Sequence, residues 1–368
     1  MKQLFTLLTL LLYTTVFSQT YVFFGSYNHD KEKEGIYVYK LDTLSGNLNK
    51  VTAVAVKNPS YLTLSPDGKT LYACTDTKTP NAGSISSYSF NPQQKTLTFL
   101  NSQSSGGENP VYVAAHPSGK WVINGNYTES SISLFPVSAN KSLKPAAQHF
   151  KYTEGSINPE RQESSHIHST VFSPDGNYVF FPDLGSDKIR CYKFDSKAKK
   201  PLTEKLSVQT VAGSGPRHLT FHPNGKFAYC VEELSGMVSS YTYFNSNLTP
   251  LQRIATHPEG LTEGFESSDV HISPDGKFLY ASNRGKENNI AIFSIDNNGL
   301  LKNIGHQSTF GLHPRTFAID PSGKFVIVTN VNSSSAVVFK RNLVTGLLTK
   351  TSETEIEHVS CVKIKQYQ

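Results

Sequence analysis

The chain has 368 residues, 37% of them hydrophobic and 17% charged, with a formal net charge of +6. Beyond the first residues no run approaches the roughly 18 apolar residues that a membrane helix needs. No Lys/Arg-rich run with interleaved aromatics marks a nucleic-acid surface, and part of the positive excess sits on turn tips, where Lys69, Lys120, Lys226, Lys277 and Lys324 each follow the glycine of a recurrent turn. The expectation is a chain without nucleic-acid partner or membrane insertion.

At the N-terminus, Lys2 precedes the apolar stretch "LLTLLLYTTVF", and the small residues Val16 and Ser18 stand just before Gln19. This pattern predicts a secretory signal over 1–18 and export to the periplasm or the exterior, leaving one mature domain over 19–368. Cys74, Cys191, Cys230 and Cys361 show no metal-ligand spacing, and at least Cys74, Cys230 and Cys361 fall in strand-like runs. Buried free thiols are expected, with one disulfide left open.

Six copies of one phrase follow: "YLTLSPDGKTLYA", "YVAAHPSGKWVIN", "STVFSPDGNYVFF", "HLTFHPNGKFAYC", "DVHISPDGKFLYA" and "TFAIDPSGKFVIV". Their turn glycines, Gly68, Gly119, Gly176, Gly225, Gly276 and Gly323, are spaced by 51, 57, 49, 51 and 47 residues. A strand, turn and strand recurring at such a period predicts an all-β fold, a β-propeller of four-stranded antiparallel blades. A seventh blade assembles from the ends, with "HVSCVKI" as inner strand and "TYVFFGSYN", "GIYVYKLD" and "LNKVTAVAV" as the outer three. Closure by both termini leaves no open sheet edge.

The copies align without gaps around the turn, so equivalent positions can be compared. Six residues before the turn proline stand Ser60, Val111, His168, Arg217, Ser268 and Arg315; eight after the glycine stand Asp76, Tyr127, Leu184, Glu233, Arg284 and Val331. Both columns lie at the hairpin end opposite the turn, which the ring repeats around its central channel. His168, Arg217, Glu233, Arg284 and Arg315 should therefore converge on one channel mouth, with His218 and Asp76 as further substrate contacts. Strand-end capping would also place charges there. Three arginines and a histidine with one or two carboxylates nevertheless leave an imbalance beside low-dielectric walls, which favours an anion site. His116 and His222, next to the turn, are expected at the surface, and His271 in the core. The "HIH" at 166–168 lacks an acidic or thiol set to complete a metal site.

The phrases "HIHSTVFSPDG", "GPRHLTFHPNGKFAYCVEEL", "YASNRG" and "HPRTFAIDPSGKFVIVTN" resemble the seven-bladed propeller lactonases, a family that includes 6-phosphogluconolactonase of the propeller type and carboxy-cis,cis-muconate cyclase. The resemblance spans the mature chain and implies a lactone site built from His168, Arg217, Glu233 and Arg284, with Arg315 beside them. It implies hydrolysis of an anionic lactone or related carboxylate; separately, a monomer is expected, and the mostly cationic candidate set calls for no cofactor or metal. Either Glu233 or His168 can then serve as general base while the arginines hold the anion and the developing oxyanion. A ring-closing cyclase and a non-catalytic binding propeller are the alternatives.

Overall fold

The computed structural model describes residues 18–368, and the leader expected at 1–18 lies, but for Ser18, outside them. Among the described residues all regular elements are strands apart from turns and bends, arranged as seven antiparallel sheets. In the first blade the C-terminal strand Val359–Tyr367 is innermost and pairs with Gln19–Ser26, from Tyr367 opposite Gln19 to Cys361 opposite Gly25; Glu34–Leu41 and Leu48–Ala55 complete it. The next six blades begin at the inner strands Tyr61–Leu64, Pro110–Ala115, Val171–Phe172, Pro216–Phe221, Ser267–Ile272 and Pro314–Ile319, each followed outward by its partners. In the fourth blade the outermost position is split between Leu202–Glu204 and Val208–Gln209. The inner strands succeed one another around the ring, and the ends meet as the repeat count predicts.

The recurrent turn explains why the hairpins form. In "SPDGK" the Ser65 hydroxyl donates to Asp67 Oδ1, the Asp67 carboxylate accepts from Lys69 N, and Gly68 N closes the turn on Ser65 O at 2.8 Å. Gly68 takes φ +72°, a conformation that L side chains rarely adopt. Ser173 with Asp175, and Ser273 with Asp275, repeat the arrangement.

Alternation along each strand sends apolar residues to both faces, because each blade is covered on both sides. Six buried clusters result, each packed between neighbouring blades; Phe227, Tyr229, Leu279 and Phe293 form the contact between the fifth and sixth. Tyr229 and Tyr280 also donate their hydroxyls to Gly299 O (3.0 Å) and Gly346 O (2.7 Å) in the next blade. A Cβ on Gly299 would meet the Phe227 ring at 2.5 Å, so the outer turn must carry glycine to let the blades close.

His116 and His222 belong to this stitching. The expectation of surface residues is corrected: His116 is buried and pairs through Nε2 with Gly176 O at 3.0 Å, and His222 reaches Gly276 O at 2.8 Å, each clasping the turn of the following blade. All four cysteines are free and buried.

Candidate active site

At the hairpin ends away from the turns, the inner strands carry β-bulges. Pairing slips between Pro216 and His218, between Pro314 and Thr316, and between Pro110 and Tyr112, so Arg217, Arg315 and Val111 have no cross-strand partner. A bulge re-aims the extra side chain, and here it does so for one residue in each of these three blades. On the second strand the chain continues one bond past the regular ladder, with Glu233 N on Gly215 O (2.8 Å) and Arg284 N on Glu266 O (3.1 Å).

A cavity of about 150 Å³ opens there, lined by Tyr27, Lys78, Asn109, Val111, Tyr127, Arg161, His168, Glu233, Arg284 and Arg315. Glu233 is its electrostatic centre. Its Oε1 accepts from Arg161 Nη2 at 2.6 Å, its Oε2 accepts from Arg217 Nε at 2.7 Å, and Arg284 Nη2 lies 3.0 Å away. Burial would raise the Glu233 pKa, but Arg284, Arg217 and Arg161 outweigh it and hold the carboxyl far below its ordinary range. Arg217, fully buried, is pushed down to about 9 by burial and by Arg284 and Arg315, against the pull of Glu233. Lys78 and Arg315 lie over the Tyr27 ring, 4.0 and 5.5 Å from its centre. Five cations thus surround one buried carboxylate, with half-exposed Glu266 at the rim 3.9 Å from Arg284 Nε.

His168 stands in the wall, with its ring edge-on to Tyr127 at 5.4 Å. Burial first, then Arg217, His218 and Arg315, keep it neutral, well below the ordinary histidine value. Its Nδ1 has no hydrogen-bond partner, and neither have Tyr27 Oη and Asn109 Oδ1, while Arg284 Nη2 has only its ion-pair contact with Glu233. Buried polar atoms are normally satisfied, and three unpartnered ones around a single small cavity set it apart from the rest of the interior.

Of the residues singled out by sequence, His168, Glu233, Arg284 and Arg315 line this cavity and Arg217 lies directly behind Glu233. His218 and Asp76 do not reach it. His218 sits deeper: Arg217 Nη1 donates to its Nε2 (3.1 Å), so its Nδ1 carries the proton and donates to Asp269 Oδ1 (2.7 Å). It faces a second cavity of about 230 Å³ on the turn side, with Tyr112, Asp269 and His271. His271, half-exposed rather than core, also donates to Asp269. Asp76 departs from its column because its backbone is left-handed, φ +55°, and its N bonds Lys57 O. Its side chain lines an outer cleft with Lys31, Val54 and Tyr88. His166, rather than ligating, stacks on Tyr127 at 4.3 Å and bonds Tyr127 O.

Sequence reasoning missed Arg161, Lys78, Tyr27, Asn109 and His313. Arg161 lies in the loop before His166, inside the longest repeat interval, the 57 residues from Gly119 to Gly176; that excess was the available signal. His313, two residues before Arg315, is held near 3 by burial, then by Arg284, Arg315 and Arg217, and reports the same cationic field. Size does not mark the site: a cleft of about 720 Å³ lined by Asn81, Ser84, Gly106, Glu108 and Glu129 has no convergent donors of this kind. Among the described residues no three His, Cys, Asp or Glu side chains are placed to hold a metal.

The ring and its mouth define a propeller with a cation-rich cavity at the channel. Comparison with known proteins makes this specific. A family model described as lactonase, 7-bladed beta-propeller, matches residues 21–364. The chain is 41% identical to the 6-phosphogluconolactonase of Formosa agariphila, covering 89% of this chain and 94% of that protein. It is 33% identical to the 6-phosphogluconolactonase of Bacillus subtilis, covering 90% and 94%. The solved structure of the periplasmic gluconolactonase of Pseudomonas aeruginosa superposes with a TM-score of 0.88 at 33% identity, over 94% of this chain and 99% of that one. The protein belongs to the seven-bladed β-propeller lactonase family, and the expectation of a lactonase, a carboxylic ester hydrolase, stands with it.

Proposed function

We propose that the protein hydrolyses an anionic sugar-type lactone at this mouth, with His168 as the proton-transferring residue. The observation that carries the reading is the neutral, buried His168 whose Nδ1 has no protein partner and which stands beside an excess of arginine charge over carboxylate. Water attacks the ring carbonyl and loses its proton to His168. The carbonyl oxygen gathers negative charge against Arg284 and its neighbours, and the ring oxygen leaves as an alkoxide that takes the proton back from His168. The product is an open hydroxy acid. Such proton transfer contributes about 10²- to 10⁴-fold, and preorganised donors at the oxyanion add to it.

Glu233 suits the base role less well than His168. Both Glu233 oxygens are already engaged by arginines, whereas His168 Nδ1 is free; the part of Glu233 is to fix Arg217 and Arg284 in the orientation the anion meets. Arg217, Arg284 and Arg315 receive the acid group or the oxyanion. Behind them, the His218–Asp269 pair and Ser268 hold Arg217 in place, its Nη1 donating to His218 Nε2 at 3.1 Å and to Ser268 O at 2.6 Å.

The reading takes residues 1–18 as an export leader and 19–368 as one propeller domain. The periplasmic relative in Pseudomonas aeruginosa supports that address. The names of the Formosa and Bacillus relatives support a phosphorylated aldonolactone as one substrate to try. Acid release from a panel of sugar and aromatic lactones tests the proposal. Turnover of a sugar lactone by the wild type, lost in His168→Ala, is expected; a correctly folded protein that turns over none of them, while still binding anions, is a binding propeller.

A further inference from the structure

Arg161 differs from the other arginines of the mouth in how it is held. Arg217 and Arg284 are buried in the ring, with side-chain exposures of 1% and 8%, whereas the Arg161 side chain is 40% exposed while still donating to Glu233 at 2.6 Å. It comes from the loop between Gln148–Lys151 and Val171–Phe172, not from a blade.

The backbone of that loop is fixed. Asn158 Oδ1 accepts from the backbone N of Glu160 and Arg161, and Gln162 N bonds Asn158 O at 2.8 Å. Gln162, fully buried, donates through Nε2 to Leu184 O at 2.8 Å, and Ser156 donates to Asp187 at 2.6 Å. A rigid backbone next to a part-exposed arginine leaves freedom in the side chain alone. Removing Arg161 from Glu233 would still leave that carboxylate paired with Arg217 and Arg284.

We propose that Arg161 is the residue that selects lactones bearing a second acid group: on binding, the phosphate or carboxylate substituent takes the Arg161 guanidinium from Glu233. The inference rests on the lactonase reading and adds to it the substituent that the site recognises. The exchange is a matter of hydrogen bonds and charge. Arg161 leaves one carboxylate oxygen and meets another oxyanion with which it can form a bidentate contact, while Glu233 keeps two arginines. The bound anion also lowers the positive potential that depresses proton uptake by His168, so the same contact favours both recognition and chemistry. Lys78 and Arg315, beside Tyr27 in the same cavity, supply the rest of the cationic lining.

The test compares wild type, Arg161→Gln and Arg161→Lys on three substrates: 6-phosphoglucono-δ-lactone, a carboxylated lactone such as glucaro-1,4-lactone, and neutral glucono-δ-lactone. Unfolding midpoints with and without inorganic phosphate are measured alongside. Loss of one charge-assisted contact corresponds to about ten- to a hundredfold. The preference for the acid-bearing lactones over the neutral one, read as a ratio of kcat/KM and carried mainly by KM, should fall by that factor in Arg161→Gln and recover in part in Arg161→Lys. Whichever of the phosphorylated and carboxylated lactones loses more identifies the substituent. An equal fall on all three substrates, or no change in the ratio, overturns the inference while leaving the lactonase reading standing. Should the wild type hydrolyse none of them, that reading fails and the phosphate measurement decides for Arg161: stabilisation by phosphate that Arg161→Gln removes supports it, and equal stabilisation of both proteins overturns it.

Discussion

Two buried arginine–carboxylate clusters in neighbouring blades show how differently the same groups can be used. In the fourth blade Asp183 is completely buried and accepts from Arg190 Nε (2.9 Å), from Ser165, and from the backbone N of His166 (2.8 Å) and Ser186 (3.2 Å). Arg190 goes on to Glu154 Oε2 at 2.8 Å, and Lys188 approaches the other oxygen, Oε1, at 3.6 Å. Two carboxylates meet two cations, and backbone donors complete the set. In the fifth blade Glu233 meets three arginines, has no backbone donor among its partners, and is surrounded by atoms that lack partners. The first cluster is closed and holds a loop to a strand. The second is left open on the cationic side, a state that costs stability unless an anion enters. Glu232, next to Glu233 but on the opposite face of the strand, repeats the closed pattern with Ser235, Ser239 and Arg253.

Activity is where the clusters should separate most. His168→Ala is expected to lower kcat by about 10²- to 10⁴-fold, and, because its Nδ1 bonds nothing in the protein, with little loss of the unfolding midpoint. Asp183→Asn should leave kcat of the folded protein within a few-fold of wild type. Steady-state rates on a hydrolysed lactone, corrected for folded fraction, check both; comparable rate losses in the two variants would erase the distinction.

Stability reverses the order. Breaking a buried ion pair by removing one partner costs about 3–5 kcal/mol, which Asp183→Asn should show in denaturant unfolding. Glu233→Gln should also be destabilised, since it strands three arginines, but phosphate should restore part of its stability by standing in for the lost charge. No such rescue is expected for Asp183→Asn, and phosphate acting equally on both would mean that the mouth is no more open to anions than the closed cluster.

Acid should weaken the mouth in a defined window. His168 and His218 are held below the histidine value of 6.5, His218 at about 3 by burial and Arg217. In the unfolded chain they bind protons below pH 6.5 while the folded protein leaves them neutral. Stability should therefore be unaffected by these groups above that pH and fall as pH drops below it, by at most about 1.4 kcal/mol per pH unit for each. Catalysis that needs neutral His168 should correspondingly persist below pH 6.5. Unfolding midpoints and initial rates at constant ionic strength measure the two, and an acid limb of activity centred at or above 6.5 would contradict the environment of His168.

The smallest effect expected is that of a chelator. Arginine does not ligate Ca²⁺ or Zn²⁺, so EDTA should leave the lactonase rate unchanged; loss restored by one divalent ion would place the chemistry outside the arginine cluster.

By itself the sequence determined the ring, the number of blades, the closure by both ends and the meeting of His168, Arg217, Glu233, Arg284 and Arg315. Turn chemistry and alternation are local, and a gap-free repeat carries the same parity from blade to blade. What only the tertiary structure decided are the departures from that parity. The register shift before His218 keeps it out of the mouth and sets it behind Arg217, against Asp269. The left-handed backbone at Asp76 sends its carboxylate to an outer cleft, although its column position is that of Glu233. Arg161 belongs to no column, and its place on Glu233 depends on how an inserted loop is tied down by Gln162 and Asn158. A one-residue shift in a strand reverses the facing of a side chain, and the path of a loop is set by what it packs against. The first leaves no trace in a repeat read along the chain, and the second leaves only the longer interval between Gly119 and Gly176.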